Sequence, residues 1–137
     1  MEAKHKDLLL KDLCARLPYG VICKDDYAKV EGKLVQIGIN YDMCLLSDDY
    51  GKTEFAYIPN CKPYLFPLSS MTEEQLYNNP IGFSQMLTIK ADRDWENITI
   101  NRRSYYKLVD WFNKNNFDYR GLIEKGLAID ATSLNIY

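Results

Sequence analysis

The sequence predicts an α+β fold: a curled antiparallel sheet or small SH3-like barrel, the latter over residues 20–60, with an N-terminal helix and a C-terminal helix. Three observations predict it. Residues 5–17 and 102–114 place apolar side chains at helical spacing, whereas residues 20–60 alternate apolar and polar side chains between short turns. The aromatic residues are 11 Tyr against 5 Phe and 2 Trp, and a ring with a polar tip suits a sheet face that is wet at one edge. The length of 137 residues fits one domain, 1–137, with no internal repeat or linker.

The helix over 5–17 rests on Leu9, Leu13 and Leu17, with Leu10 and Cys14 alongside. Lys6, Asp7, Lys11 and Asp12 are expected on its solvated side, and Pro18 with Tyr19-Gly20 ends it. "GVICK" is a short strand. In "AKVEGKLVQIGIN", Val35, Ile37 and Ile39 are expected on one face and Gln36 and Gly38 on the other. "YDMCLLS" and "TEFAYI" are two more strands joined by the turn "DDYGK", with Phe55 and Tyr57 facing away from Glu54 and Ala56. Pro59 and Pro63 remove backbone donors, so Ile58 to Pro67 is expected to be a stiff connector and not a central strand, with Leu65 or Phe66 plugged into the core. Ser70 and Glu73 have capping-box spacing for a short helix through Tyr77, which "NNP" closes.

Beyond Gly82, "FSQMLTIKA" and "WENITIN" alternate as a strand pair around the turn "DRD". The second long helix follows from Tyr105, Leu108, Val109 and Phe112, widened by Trp111, and "NKNN" ends it. "FDYRGLIEKGLAID" is a compact turn with one short element, and "SLNIY" is expected to add a last edge strand.

Little catalytic chemistry is written in the chain. The net charge is −2 and the pI is near 5.4, which gives no bulk attraction to nucleic acid or anionic lipid. Charges run through "MEAKHKDLLLKDLCARL" where a signal peptide would be apolar, and no run approaches the ~18 apolar residues of a membrane span, so a cytoplasmic protein is expected. Cys14, Cys23, Cys44 and Cys61 lie 9, 21 and 17 positions apart, and the single histidine is His5. That pattern lacks metal-ligand spacing, so no metal and no cofactor are expected and the cysteines read as free, mostly buried thiols. Paired acids at Asp25-Asp26, Asp48-Asp49, Glu73-Glu74 and Asp92/Asp94 read as solvated turns or helix starts.

Two polar clusters remain. In "NRRSYYK", Arg102, Arg103 and Lys107 group with Tyr106 at a helix start, where cations oppose the helix dipole. Such a set can grip phosphates and stack on a base, or be solvated or paired with Asp92, Asp94 or Glu96. In "FDYRG", Tyr119 and Arg120 follow Asp118. They form either a ligand-binding fork or a set in which Asp118 and Arg120 satisfy the turn and each other.

"CKPYLFPLSSMTEEQ" and "VDWFNKNNFDYRGLIEKGLAIDATSLNIY" resemble signature segments of small uncharacterised proteins of phages and mobile elements from gut bacteria. The resemblance implies such an origin, and no activity. Those relatives are expected to carry arginine where this chain has Phe66 and histidines where it has Asn115 and Asn116, so no basic or histidine-based role carries over. The leading expectation is a non-catalytic accessory protein in the host bacterial cytoplasm that binds a host protein or small host ligand. A nucleic-acid-binding module using Arg102, Arg103 and Lys107 is second, and an enzyme third. The sequence leaves the oligomeric state open.

Overall fold

In the computed structural model, which describes residues 2–91 and 100–137, helix α1 spans Ala3–Arg16. Its leucine stripe does what the spacing predicts: Leu9 and Leu13 are fully buried. Pro18 falls in a single 3-10 turn, and Gly20 closes it at φ 80, a left-handed conformation that glycine adopts without a Cβ clash. Two residues depart from the expected pattern: Cys14, expected alongside the stripe, is exposed, and Asp12 goes the other way. Asp12 is not solvated but wholly buried, because Arg16 lies one helical turn on and pairs with it.

Strands β1 (Ile22–Asp25), β2 (Val30–Gly38), β3 (Met43–Ser47) and β4 (Thr53–Tyr57) form an antiparallel meander. The register runs Leu34 opposite Leu46 and then Gln36 opposite Leu45, so Val35 is the extra residue of a β-bulge. That bulge overturns the expected alternation: Val35 turns outward and is 43% exposed, while Ile37 packs against the core. Val30, Leu34, Cys44, Leu46 and Ala56 form the inner face. Gly32 permits the close approach of β2 and β3, since a Cβ there would stand 2.4 Å from the Ser47 carbonyl oxygen. Asp48 makes the "DDYGK" turn, accepting from the Tyr50 and Lys52 amides. Asp25 also makes a turn, accepting from Tyr27 and Ala28, yet it is buried rather than solvated because its second oxygen accepts from Tyr57 across the sheet.

The proline-rich stretch is the largest correction. Cys61–Pro67 is strand β5, and it lies inside the sheet. Its first half pairs antiparallel with β1, Cys23 opposite Pro63. Its second half pairs in parallel with two short strands, β6 (Phe117–Asp118) and β7 (Ile129–Asp130). The missing Pro63 donor costs no ladder bond for a geometric reason. Tyr64 turns its carbonyl toward the β1 edge, where the Tyr137 hydroxyl donates to it and accepts from the Ile22 amide. Alternation then points the Pro63 nitrogen to the opposite edge, ahead of the β7 pairing that starts at Tyr64. Leu65 is fully buried, as expected of this stretch, and Phe66 is half-buried edge-to-face with Phe117. The sheet is therefore mixed, ordered β4-β3-β2-β1-β5-β6 with β7 also on β5, and it curls without closing into a barrel.

Three α-helices follow among the described residues. Helix α2 (Glu73–Tyr77) is capped by Thr72, which exchanges bonds with Gln75 in a capping box. Ser70 instead donates to the Pro67 carbonyl, so it closes the turn before the helix and is not the cap. "FSQMLTIKA" is helix α3, Phe83–Ala91, and not a strand. Met86 and Ile89, three apart, are buried, and Leu87, expected beside Ile89, is 47% exposed. The "DRD" turn and "WENITIN" up to Thr99 lie outside the described residues. Helix α4 is Arg102–Lys114, with Leu108 and Phe112 fully buried and Val109 half-buried, but Tyr105 at its first turn is 40% exposed. "SLNIY" is not a strand; its contribution is the Tyr137 clasp between β1 and β5. No helix among the described residues is long and apolar enough to cross a membrane.

The core has two parts. One lies between α1 and the inner sheet face; the other gathers α2, α3, α4, Phe117 and Tyr119. Two substitutions test this arrangement in urea denaturation. Leu65→Ala should cost about 2–5 kcal/mol, as for a filled core site, and Thr72→Ala about 1 kcal/mol for the lost cap. A Leu65→Ala variant as stable as the parent would remove β5 from the core.

Candidate functional site

The "FDYRG" cluster is an internal strut. Asp118 satisfies the turn as expected, its two oxygens accepting from the Leu122 and Ile123 amides at 2.9 Å. It does not meet Arg120. Arg120 reaches Asp12 instead, Nη1 to Oδ1 at 2.8 Å, while Arg16 Nε donates to Asp12 Oδ2 at 2.8 Å. Arg16 Nη2 donates to the Phe117 carbonyl at 2.6 Å, tying α1 to β6. The Tyr119 ring lies beneath both guanidinium groups, 5.3 Å from that of Arg16 and 4.5 Å from that of Arg120, and its hydroxyl donates to Asn113 Oδ1. Tyr119 is buried and its phenol is pushed above the ordinary range, chiefly by desolvation. Both guanidinium groups are thus already engaged with protein partners.

The "NRRSYYK" cluster is of the opposite kind. Asn101 caps α4 by accepting from the Ser104 amide, and Arg102, Arg103, Tyr106 and Lys107 all stand exposed beyond it. None of the three cations forms an ion pair with a described residue. Tyr106 is 59% exposed and meets Tyr105 edge-on at 6.0 Å. Asn113, where Tyr119 attaches, is at the other end of this helix, roughly 16 Å away at 1.5 Å per residue. The six residues singled out from the sequence therefore form two separate groups.

The thiols argue against nucleophilic use. Cys23, Cys44 and Cys61 are free and buried, and Cys44 and Cys61 sulfurs are 3.9 Å apart. Their hydrogen bonding and burial push the thiols of Cys44 and Cys61 up, away from the thiolate that would react. Only Cys14 is exposed.

The feature that sequence reasoning missed is the outer face of β2–β4. A hollow of about 390 Å³ opens there, lined by Tyr41, Met43, Leu45, Phe55 and Gly38, with the Gln36 amide as its polar element. Phe55 is 67% exposed and Tyr41 82%. The strand alternation places Phe55 outside because small Ala56 faces the core. No family model, curated protein or solved structure matches the chain. A second hollow, of about 370 Å³, lies beside Ser69, Lys90 and Tyr119. Asp118 on its wall is already held by the turn's amides.

The strut makes a graded prediction for thermal or urea melts. Asp12→Ala strands the buried Arg16 charge and should cost about 3–5 kcal/mol. Arg120→Ala, which leaves the Asp12–Arg16 pair in place, should cost clearly less. Equal losses would show that the three charges do not act in that order.

Proposed function

We propose that this chain is a non-catalytic binding protein, an accessory protein of a phage or mobile element acting in the host bacterial cytoplasm. Its outer β2–β4 face takes an apolar or aromatic group of a host protein or small host ligand. The origin rests on the resemblance of the two signature segments. The binding reading rests on one observation: an exposed phenylalanine and tyrosine flank an apolar hollow on a sheet face that water would otherwise cover. Gln36 supplies a donor and an acceptor to orient what enters.

An anilinonaphthalene dye serves as the probe for that face. Removing an aromatic wall worth roughly 1.5–3 kcal/mol of burial should weaken dye binding about 10- to 100-fold in Phe55→Ser and Tyr41→Ser. Their melting temperatures should stay close to the parent's, because both rings are already exposed. Unchanged dye affinity in both variants would exclude the face.

A second reading, nucleic-acid binding, is favoured by the exposed cations at the start of α4. It predicts that a labelled single strand binds with a salt dependence that Arg102→Ala with Arg103→Ala lowers by about one unit of slope per lost phosphate contact. The double variant should melt like the parent, since exposed charges contribute little to stability. Binding with an unaltered slope would exclude these arginines as phosphate contacts.

A further inference from the structure

Among the described residues, strand β4 ends the sheet on one side and pairs with β3 alone. Its hydrogen-bond parity can be read from its ends. The Lys52 carbonyl accepts from Asp48, and the Ile58 amide donates to Asp42, so even-numbered residues turn their peptide groups toward β3. Alternation turns those of Thr53, Phe55 and Tyr57 to the free edge. Asp25 takes the Tyr57 amide, which leaves the edge groups of Thr53 and Phe55 without partners among the described residues. An open row of this kind is a template for another strand.

We propose that this edge pairs antiparallel with the same edge of a second copy of the chain, on a two-fold axis through Thr53. The register follows from charge. With the axis at Thr53, the two threonines exchange both backbone bonds, and Lys52 of each copy lies opposite Glu54 of the other. An axis at Glu54 would set two like charges face to face. An axis at Phe55 would leave Lys52 and Glu54 unmatched, opposite Ile58 and Ala56 of the other copy. The Thr53 register also sets Phe55 opposite the other copy's Gly51. Space above Gly51 is open, with nothing within 4 Å of where a Cβ would stand. Lys52 and Glu54 are only loosely engaged within one chain, at 3.8 Å with side chains 73% and 53% exposed, so exchanging partners requires little rearrangement. The pairing uses the edge of β4 and stands apart from the ligand reading of its face.

Sedimentation equilibrium of the full chain over a wide concentration range tests the pairing. The parent should show a reversible monomer–dimer equilibrium. Lys52→Glu and Glu54→Lys should each weaken it roughly tenfold, since two cross-strand attractions become repulsions. The double variant Lys52→Glu with Glu54→Lys should restore it, a recovery that unspecific association would not show. A parent that stays monomeric throughout, a single variant that dimerises as tightly as the parent, or a double variant that fails to recover would each overturn the proposal.

Discussion

The structure turns on one buried guanidinium. Arg16 is fully buried with no solvent to compensate its charge, so its position is dictated by the groups that meet it. Asp12 supplies the counter-charge from the preceding helical turn, and the Phe117 carbonyl fixes the direction of the fork. Arg120, nearer to solvent, takes the second oxygen of Asp12, and the Tyr119 ring fills the space below. One Arg16 nitrogen, Nη1, has no partner among the described residues, a cost that the rest of the network must offset. Because Arg16 belongs to the helix over one core cluster and Phe117 to the other, this network locks the two clusters in place. It also positions β6 beside the second half of β5.

That second constraint explains how a strand with three prolines nearby can be internal. β5 is never asked for a donor where Pro63 stands, and its partners change along its length from β1 to β7 and β6. The Tyr137 hydroxyl covers the place where the β1 ladder stops. Local rules about proline describe what one residue cannot do. They do not say on which edge of a strand that incapacity will fall.

The same distinction separates what was legible in the sequence from what was not. The helices at 3–16 and 102–114 were legible because their periodicity is itself the packing face. The β2–β4 meander was legible from its turn chemistry. Val35 was misplaced because a bulge shifts alternation by one, and a bulge is set by the neighbouring strand. In "FSQMLTIKA", Leu87 and Ile89 suggest a strand while Met86 and Ile89 suggest a helix, and only the surrounding core chooses. The cap read at Ser70 with Glu73 falls two residues early, because Thr72 with Gln75 has the same spacing and makes the bonds. Asp12 was invisible because its second partner is 108 residues away. The aromatic hollow escaped for a simpler reason: alternation separates the faces of β4 but does not say that alanine goes in and phenylalanine out.

The long reach of the strut has a kinetic side. On the ribosome Asp12 and Arg16 emerge early, but the carbonyl of Phe117 and the fork of Arg120 follow only after more than a hundred further residues. The β6 and β7 partners of β5 also arrive late. The meander can form from its own short turns well before then and offer α1 its inner face, but the Arg16 fork cannot yet close. Such distant closures slow folding, because loop entropy is lost before the contact rewards it. Until then the Arg16 fork and the second half of β5 lack their partners, a state in which a chaperone has something to hold.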